Sequence, residues 1–96
     1  MFALRFTKAF ERDVKRYERK GGDRTHLQYT IDLLQAGDPL PPALNDHQLH
    51  GTLRDCRELH VEHDWLLVYK KDGQALVITC LWLVSHKRLK EREQSR

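Results

Sequence analysis

A chain of 96 residues, 40% of them hydrophobic and 32% charged, has room for one small core; it buries only about 60–68% of the surface its unfolded form exposes and lies outside the disordered class. Seventeen basic against fourteen acidic residues give a net charge of +3, compatible with a polyanionic partner without requiring one. No apolar run approaches the ~18 residues of a membrane span and Met1 to Lys8 lacks the apolar stretch of a signal peptide, so a cytoplasmic chain forming a single domain over residues 1–96 is expected.

Phe2 to Phe6 alternates apolar with other residues, as a short strand does, and Thr7 stands where it can cap a helix. Between Lys8 and Lys20, Phe10, Val14 and Tyr17 recur at four and three and line one face of an amphipathic helix, which Gly21-Gly22 stops. A second helix is predicted from Asp23 or Thr25, burying Leu27, Ile31 and Leu34 and ending at Gly37-Asp38-Pro39, so that the two form a helical hairpin. Pro39 to Gly51 holds all three prolines and reads as a loop. Strands follow at Leu53 to Val61, Trp65 to Lys71 and Ala75 to Val84, the last apolar enough to be central, with hairpin chemistry at Lys71-Asp72-Gly73. The charged segment His86 to Gln94 is expected to be one helical turn or a tail. This order, β, α, α, β, β, β, predicts an α+β fold with a helical hairpin on one face of a mostly antiparallel β-sheet. Cys56 and Cys80 are too few for a disulfide framework or a cysteine-based zinc site and are expected as reduced core residues.

Charge is unevenly spread. Met1 to Arg24 carries eight basic residues against four acidic, and Ser85 to Arg96 five against two, while the stretch between carries four against eight. Basic ends around a histidine-rich middle can fold into a groove for a polyanion, although charged helix surfaces alone produce the same count. Five of the six histidines, His47, His50, His60, His63 and His86, lie in the second half near predicted strand ends and loops. Because histidine changes protonation near about 6.5, such a set can serve as general base and general acid, or hold a metal. His60 and His63 would point to opposite faces of a continuous strand, so they converge only if Glu62-His63-Asp64 is a turn, which would also let His60 and Asp64 approach.

The segments Asp46-His47-Gln48-Leu49-His50-Gly51 and Arg57-Glu58-Leu59-His60-Val61-Glu62-His63-Asp64-Trp65-Leu66-Leu67-Val68-Tyr69-Lys70, with His86 after the last strand, resemble the YafQ branch of the RelE/ParE toxin superfamily. The resemblance spans nearly the whole chain and implies a RelE/ParE-like fold. It also implies a type II toxin–antitoxin toxin: an endoribonuclease that cuts mRNA on the ribosome, at the A site of the small subunit, without metal or other cofactor, and is neutralised by a cognate antitoxin. Carried over position by position, His47, His60, Asp64 and His86 match the family's functional histidines and aspartate, and Trp65 its motif tryptophan. Cleaving RNA through its own 2′-hydroxyl needs a base, an acid and cations for the phosphorane charge; histidines suit the first two roles, and Arg57 or a basic rim at Lys87 and Arg88 the third.

The chain departs from the family pattern at four positions. His63 stands where proline is usual, Glu58 replaces aspartate, Trp82 stands where arginine is frequent, and Lys90 falls where an aromatic residue is expected. Two other readings remain open on the residues: a zinc site built from His47, His50, His60 and His63, and a non-catalytic ParE-like toxin that poisons a protein target such as DNA gyrase. Trp65 can equally be core or site wall, Arg57 a surface charge, and His26 a helix-surface residue away from any site. The geometric expectation is a concave basic site in which His60, Asp64 and His86 share one cleft, His47 closes the far side, and Arg57 with Lys87 or Arg88 lies at the rim.

Overall fold

The computed structural model describes residues 1–94. Strand β1 (Ala3–Phe6) turns into helix α1 (Lys8–Arg19) at Thr7, whose hydroxyl accepts the Phe10 N–H at 3.0 Å and donates to the Leu81 carbonyl at 2.7 Å. One side chain therefore caps the helix and fixes its start against the sheet. Helix α2 (Arg24–Ala36) begins on Asp23, which accepts the Thr25 N–H at 2.8 Å, and ends at Gly37, whose φ of 80° is the left-handed conformation that glycine adopts without steric cost. Between the helices, Gly22 lies so close to the Tyr17 ring that a Cβ there would meet it at 2.4 Å. The helix-spaced residues Phe10, Tyr17, Leu27, Ile31 and Leu34 are all buried, as the amphipathic pattern requires.

Strands β2 (His47–Gln48), β3 (Arg57–Glu62), β4 (Trp65–Asp72) and β5 (Val77–Val84) complete a five-stranded sheet ordered β1-β5-β4-β3-β2. β1 runs parallel to β5 and the other pairs are antiparallel. This is the mixed α+β architecture expected. Leu59, Val61, Leu67, Tyr69, Ile78, Cys80 and Leu83 turn to one sheet face and pack with the buried residues of the helical hairpin. Both cysteines are buried, and among the described residues neither forms a disulfide.

Three elements differ from the expectation. The Pro39 to Gly51 loop contains β2 and a 3₁₀ turn, Pro42–Leu44; a second such turn, Gly51–Leu53, takes Leu53 out of the strand, so β3 starts at Arg57. Before β5, the Asp72 carboxylate accepts the N–H groups of Gln74 and Ala75 at 3.0 and 2.9 Å, which carries the turn through Leu76 and starts the strand at Val77. The segment after Ser85 is helix α3 (His86–Gln94), not a single turn or a tail. Ser85 caps it by accepting the Arg88 N–H at 3.2 Å, and Leu89 joins Leu53, Cys56, Leu66, Val68 and Val84 in a second core on the sheet face away from the hairpin. Among the described residues no helix is long and apolar enough to cross a membrane.

Candidate active site

Strand parity builds the site. Glu58 and His60 are two residues apart on β3 and so project from the same face, about 7 Å apart along the strand. They stand opposite Val68 and Leu66, residues of the second core, so this face is the one away from the helical hairpin. β2 sets His47 directly opposite Glu58, and the His47 Nε2 lies 3.0 Å from Glu58 Oε1. The other ring nitrogen, Nδ1, lies 2.8 Å from the Asn45 carbonyl; a carbonyl only accepts, so Nδ1 carries a proton. Glu58 is buried, and its second oxygen, Oε2, has no hydrogen-bond partner among the described residues. An orphaned buried carboxylate oxygen costs about 1–3 kcal/mol and calls for an explanation.

The β3–β4 turn supplies the second half. The strands pair up to Glu62 opposite Trp65, which leaves His63 and Asp64 as the turn, with His63 held at a φ of 46°. Asp64 reaches the start of α3, where one carboxylate oxygen accepts from His86 Nδ1 and from the His86 backbone N–H, the latter at 3.3 Å. The His86 side-chain hydrogen bond, followed by that backbone N–H, holds the Asp64 carboxyl below the usual carboxylate range. His86 thus keeps its Nε2 as the nitrogen Asp64 does not engage. Its ring meets His60 edge to face, with centroids 5.7 Å apart. His47, Glu58, His60 and the Asp64–His86 pair are therefore contiguous.

Two expected site residues lie elsewhere. Arg57 is one residue from Glu58 and points to the hairpin face, where its Nη2 and Nε donate to Asp46 at 2.7 and 3.1 Å and Tyr69 donates to the other oxygen of the same carboxylate. Asp46 raises the guanidinium's affinity for its proton, and Arg57 lines a separate cavity of about 410 Å³ with Leu34, Leu40 and Lys71. It lies on the sheet face opposite Glu58 and His60 and cannot form a rim beside the histidines, which corrects that expectation. Trp65 also turns toward the hairpin and packs edge-on against Tyr17 at 5.2 Å, but its exposed part lines a cleft of about 440 Å³ shared by Arg16, Lys20, Asp64, Lys87 and Arg88. Trp65 thus packs in the core and shows one edge to that cleft. Lys87 and Arg88 do flank Asp64, as expected.

Two kinds of site group escape the sequence reading: Glu58, for which the two-residue spacing from His60 is the available signal, and Arg16 and Lys20, whose approach to Asp64 depends on tertiary packing. Trp82 projects to the second-core face, and the Arg92 guanidinium lies over its ring at 5.6 Å. His26 is on α2 and bonds Glu62 at 2.9 Å, away from the histidine set. His50 and His63 are exposed. Among the described residues no group of three or more His, Cys, Asp or Glu side chains is arranged to hold a metal ion, so His47, His50, His60 and His63 are not gathered into one.

A mixed sheet with a helical hairpin on one face and histidines clustered with carboxylates on the other defines a small α+β protein of the toxin–nuclease kind. The family model for the bacterial toxin of type II toxin–antitoxin system, YafQ, matches residues 2–91. The mRNA interferase toxin YafQ of Escherichia coli K12 is 35% identical over 74 residues, 76% of this chain and 80% of that protein. A metal-bound toxin from Helicobacter pylori is 35% identical with a TM-score of 0.85, covering 93% of this chain and 99% of that one. YafQ in the E. coli DinJ–YafQ complex is 28% identical with a TM-score of 0.81, covering 93% and 98%. The chain belongs to the YafQ family of bacterial type II toxin–antitoxin toxins.

Proposed function

We propose that this protein is a ribosome-dependent mRNA endoribonuclease that works in the cytoplasm on message held at the A site of the small subunit, uses His and carboxylate acid–base chemistry without a metal ion, and is neutralised by a cognate antitoxin as the E. coli relative is bound by DinJ. One observation carries the reading: His60 and His86 meet at 5.7 Å, with Asp64 fixing the orientation of His86 and the His47–Glu58 pair on the same sheet face. Two imidazoles at that separation can address the attacking and the leaving oxygen of one phosphodiester.

In this reaction a base removes the proton of the 2′-hydroxyl, that oxygen attacks the adjacent phosphorus, and an acid protonates the departing 5′-oxygen, leaving a cyclic phosphate and a free 5′-hydroxyl. Asp64 stays ionised through the range where histidines titrate, because its carboxyl is held below the usual range, and its bond to Nδ1 fixes the His86 ring. His86 then serves as the acid and His60, which has no carboxylate hydrogen-bonded to it among the described residues, as the base. Glu58 Oε2 accepts a hydrogen-bearing group of the bound nucleotide, which gives the orphaned oxygen a partner. Lys87 and Arg88, which line the cleft beside Asp64, add positive charge next to the reacting phosphate.

The test is to express the chain in cells and map new mRNA 5′ ends. His60→Ala and His86→Ala are each expected to lower cleavage by ~10²–10⁴. The fold should survive, since the His86 side chain is 57% exposed. Undiminished cleavage by the double variant would remove His60 and His86 as base and acid, and equal cleavage of naked and ribosome-bound message would remove the ribosome dependence.

A further inference from the structure

A cleft lies on the other side of Asp64 from its bond to His86. It is bounded by Arg16 and Lys20 at the end of α1, by Lys87, Arg88 and Glu91 of α3, and by Trp65 and Ser85 between them. Four cations against two carboxylates, Asp64 and Glu91, leave a surplus of two positive charges in about 440 Å³. Arg16 is partly committed, since it donates to Asp13 at 2.9 Å, and Asp64 is committed to His86. Lys20, Lys87 and Arg88 have no carboxylate partner within 4 Å among the described residues, so three full cations converge on one concavity. Like charges brought together without counter-charges are unfavourable unless an anion enters. Trp65, held at right angles against Tyr17, supplies a rigid apolar wall.

We propose that this cleft is a phosphodiester subsite for the ribonucleotide strand one nucleotide beyond the scissile bond, with Lys20, Lys87 and Arg88 on the phosphate and Trp65 against the adjoining ribose or base. The inference rests on the nuclease reading. Position supports it: Asp64 lines the cleft and also bonds His86, which puts this concavity within reach of a strand whose scissile phosphate meets His60 and His86. Cations around an aromatic wall are what single-stranded nucleic acid uses, whereas an acidic protein segment would have no need of Trp65 and would meet Asp64 and Glu91.

The experiment uses the full chain and a short 2′-O-methyl oligoribonucleotide, which cannot be cleaved, with affinity followed by fluorescence anisotropy across a salt series. Each phosphate contact on a single strand contributes about 0.7 to the slope of log affinity against log salt. The Lys20→Gln/Lys87→Gln/Arg88→Gln variant is expected to lower that slope by about 0.7, the share of the one phosphate these cations neutralise. The charge-conserving Lys20→Arg/Lys87→Arg/Arg88→Lys variant, which tests for folding damage, should keep that slope. An unchanged slope in the glutamine variant overturns the subsite, as does a loss confined to antitoxin binding or to isolated ribosomal subunits. If the subsite falls while the wild-type chain still cuts message and His86→Ala does not, the nuclease reading stands alone. If the slope drops but no variant or wild-type chain cuts message, the strand site stands and the nuclease reading falls.

Discussion

Glu58 is the residue at which stability and function pull apart. It is 6% exposed, one oxygen faces His47 and the other has no partner among the described residues. A buried carboxylate retained in that state is better explained by substrate than by packing, since an apolar side chain of similar length removes a desolvation cost of about 1–3 kcal/mol. Glu58→Met is therefore expected to melt at the wild-type temperature or above it while message cleavage falls, with His47, about half exposed, turning to solvent. A variant that melts several degrees lower and cleaves normally would make Glu58 structural. On the proposed mechanism Asp64 works through His86. Asp64→Asn leaves an oxygen to accept from His86 Nδ1 but removes the charge, so cleavage should fall by less than the ~10²–10⁴ of removing the acid itself, and the alkaline limb of the pH–rate profile, where a general acid must keep its proton, should move. An unaltered profile would reduce Asp64 to a turn residue.

Among elements, α3 is the one the sequence hides. Its pattern is polar and suggests a single turn or a tail, because what orders it lies 79 residues away: the two Arg92 donors reach both oxygens of fully buried Asp13 at 2.7 Å. That carboxylate also accepts from Arg16 and, at 3.0 Å, from the Leu83 N–H near the end of β5, so it joins α1, β5 and α3. Asp13→Ala leaves two guanidinium groups without their anion, and breaking a buried pair in this way costs about 3–5 kcal/mol; hydrogen exchange should rise through His86–Gln94 first. The hairpin and central strands, by contrast, are legible because their order is local and periodic. Arg57 falls outside the cleft despite a readable signal: it lies three residues from His60 on one strand, and odd spacing puts side chains on opposite faces. The β3–β4 turn is a third case. His63 takes a φ of 46°, which the family's usual proline, its ring fixing φ near about −65°, cannot adopt. His63→Gly should raise stability by about 1 kcal/mol, and His63→Pro should lower it; the reverse order in thermal melts would mean the turn is built differently.

At the scale of the whole molecule, the hairpin and the active-site sheet are joined through Glu62, and this junction sets the acid limb of stability. Glu62 Oε1 accepts from the Tyr17 hydroxyl at 2.6 Å and from the Asp23 N–H at 2.8 Å, while Oε2 lies 2.9 Å from His26 Nδ1. The Tyr17 hydroxyl, then the Asp23 N–H and His26, pull its carboxyl from an ordinary 4.5 to about 2. A folded-state value below the unfolded one means that Glu62 adds stability in full above about 4.5, and that this contribution drains away as pH falls toward about 2. Asp64 acts in the same direction, and so does Asp55, which Lys70 draws from 3.8 to about 2. Protonating carboxylates also raises the net charge above +3, adding self-repulsion that every variant shares. The difference between wild type and Glu62→Gln isolates the junction, because glutamine keeps an acceptor for Tyr17 and the Asp23 N–H but has no charge to lose. Thermal melts across an acid series should show the wild type above the variant at neutral pH and the two curves closing on each other between about 4.5 and about 2. A gap that stays constant through that range, or widens as pH falls, would show that Glu62 is not ionised against Tyr17 and His26 in the folded protein.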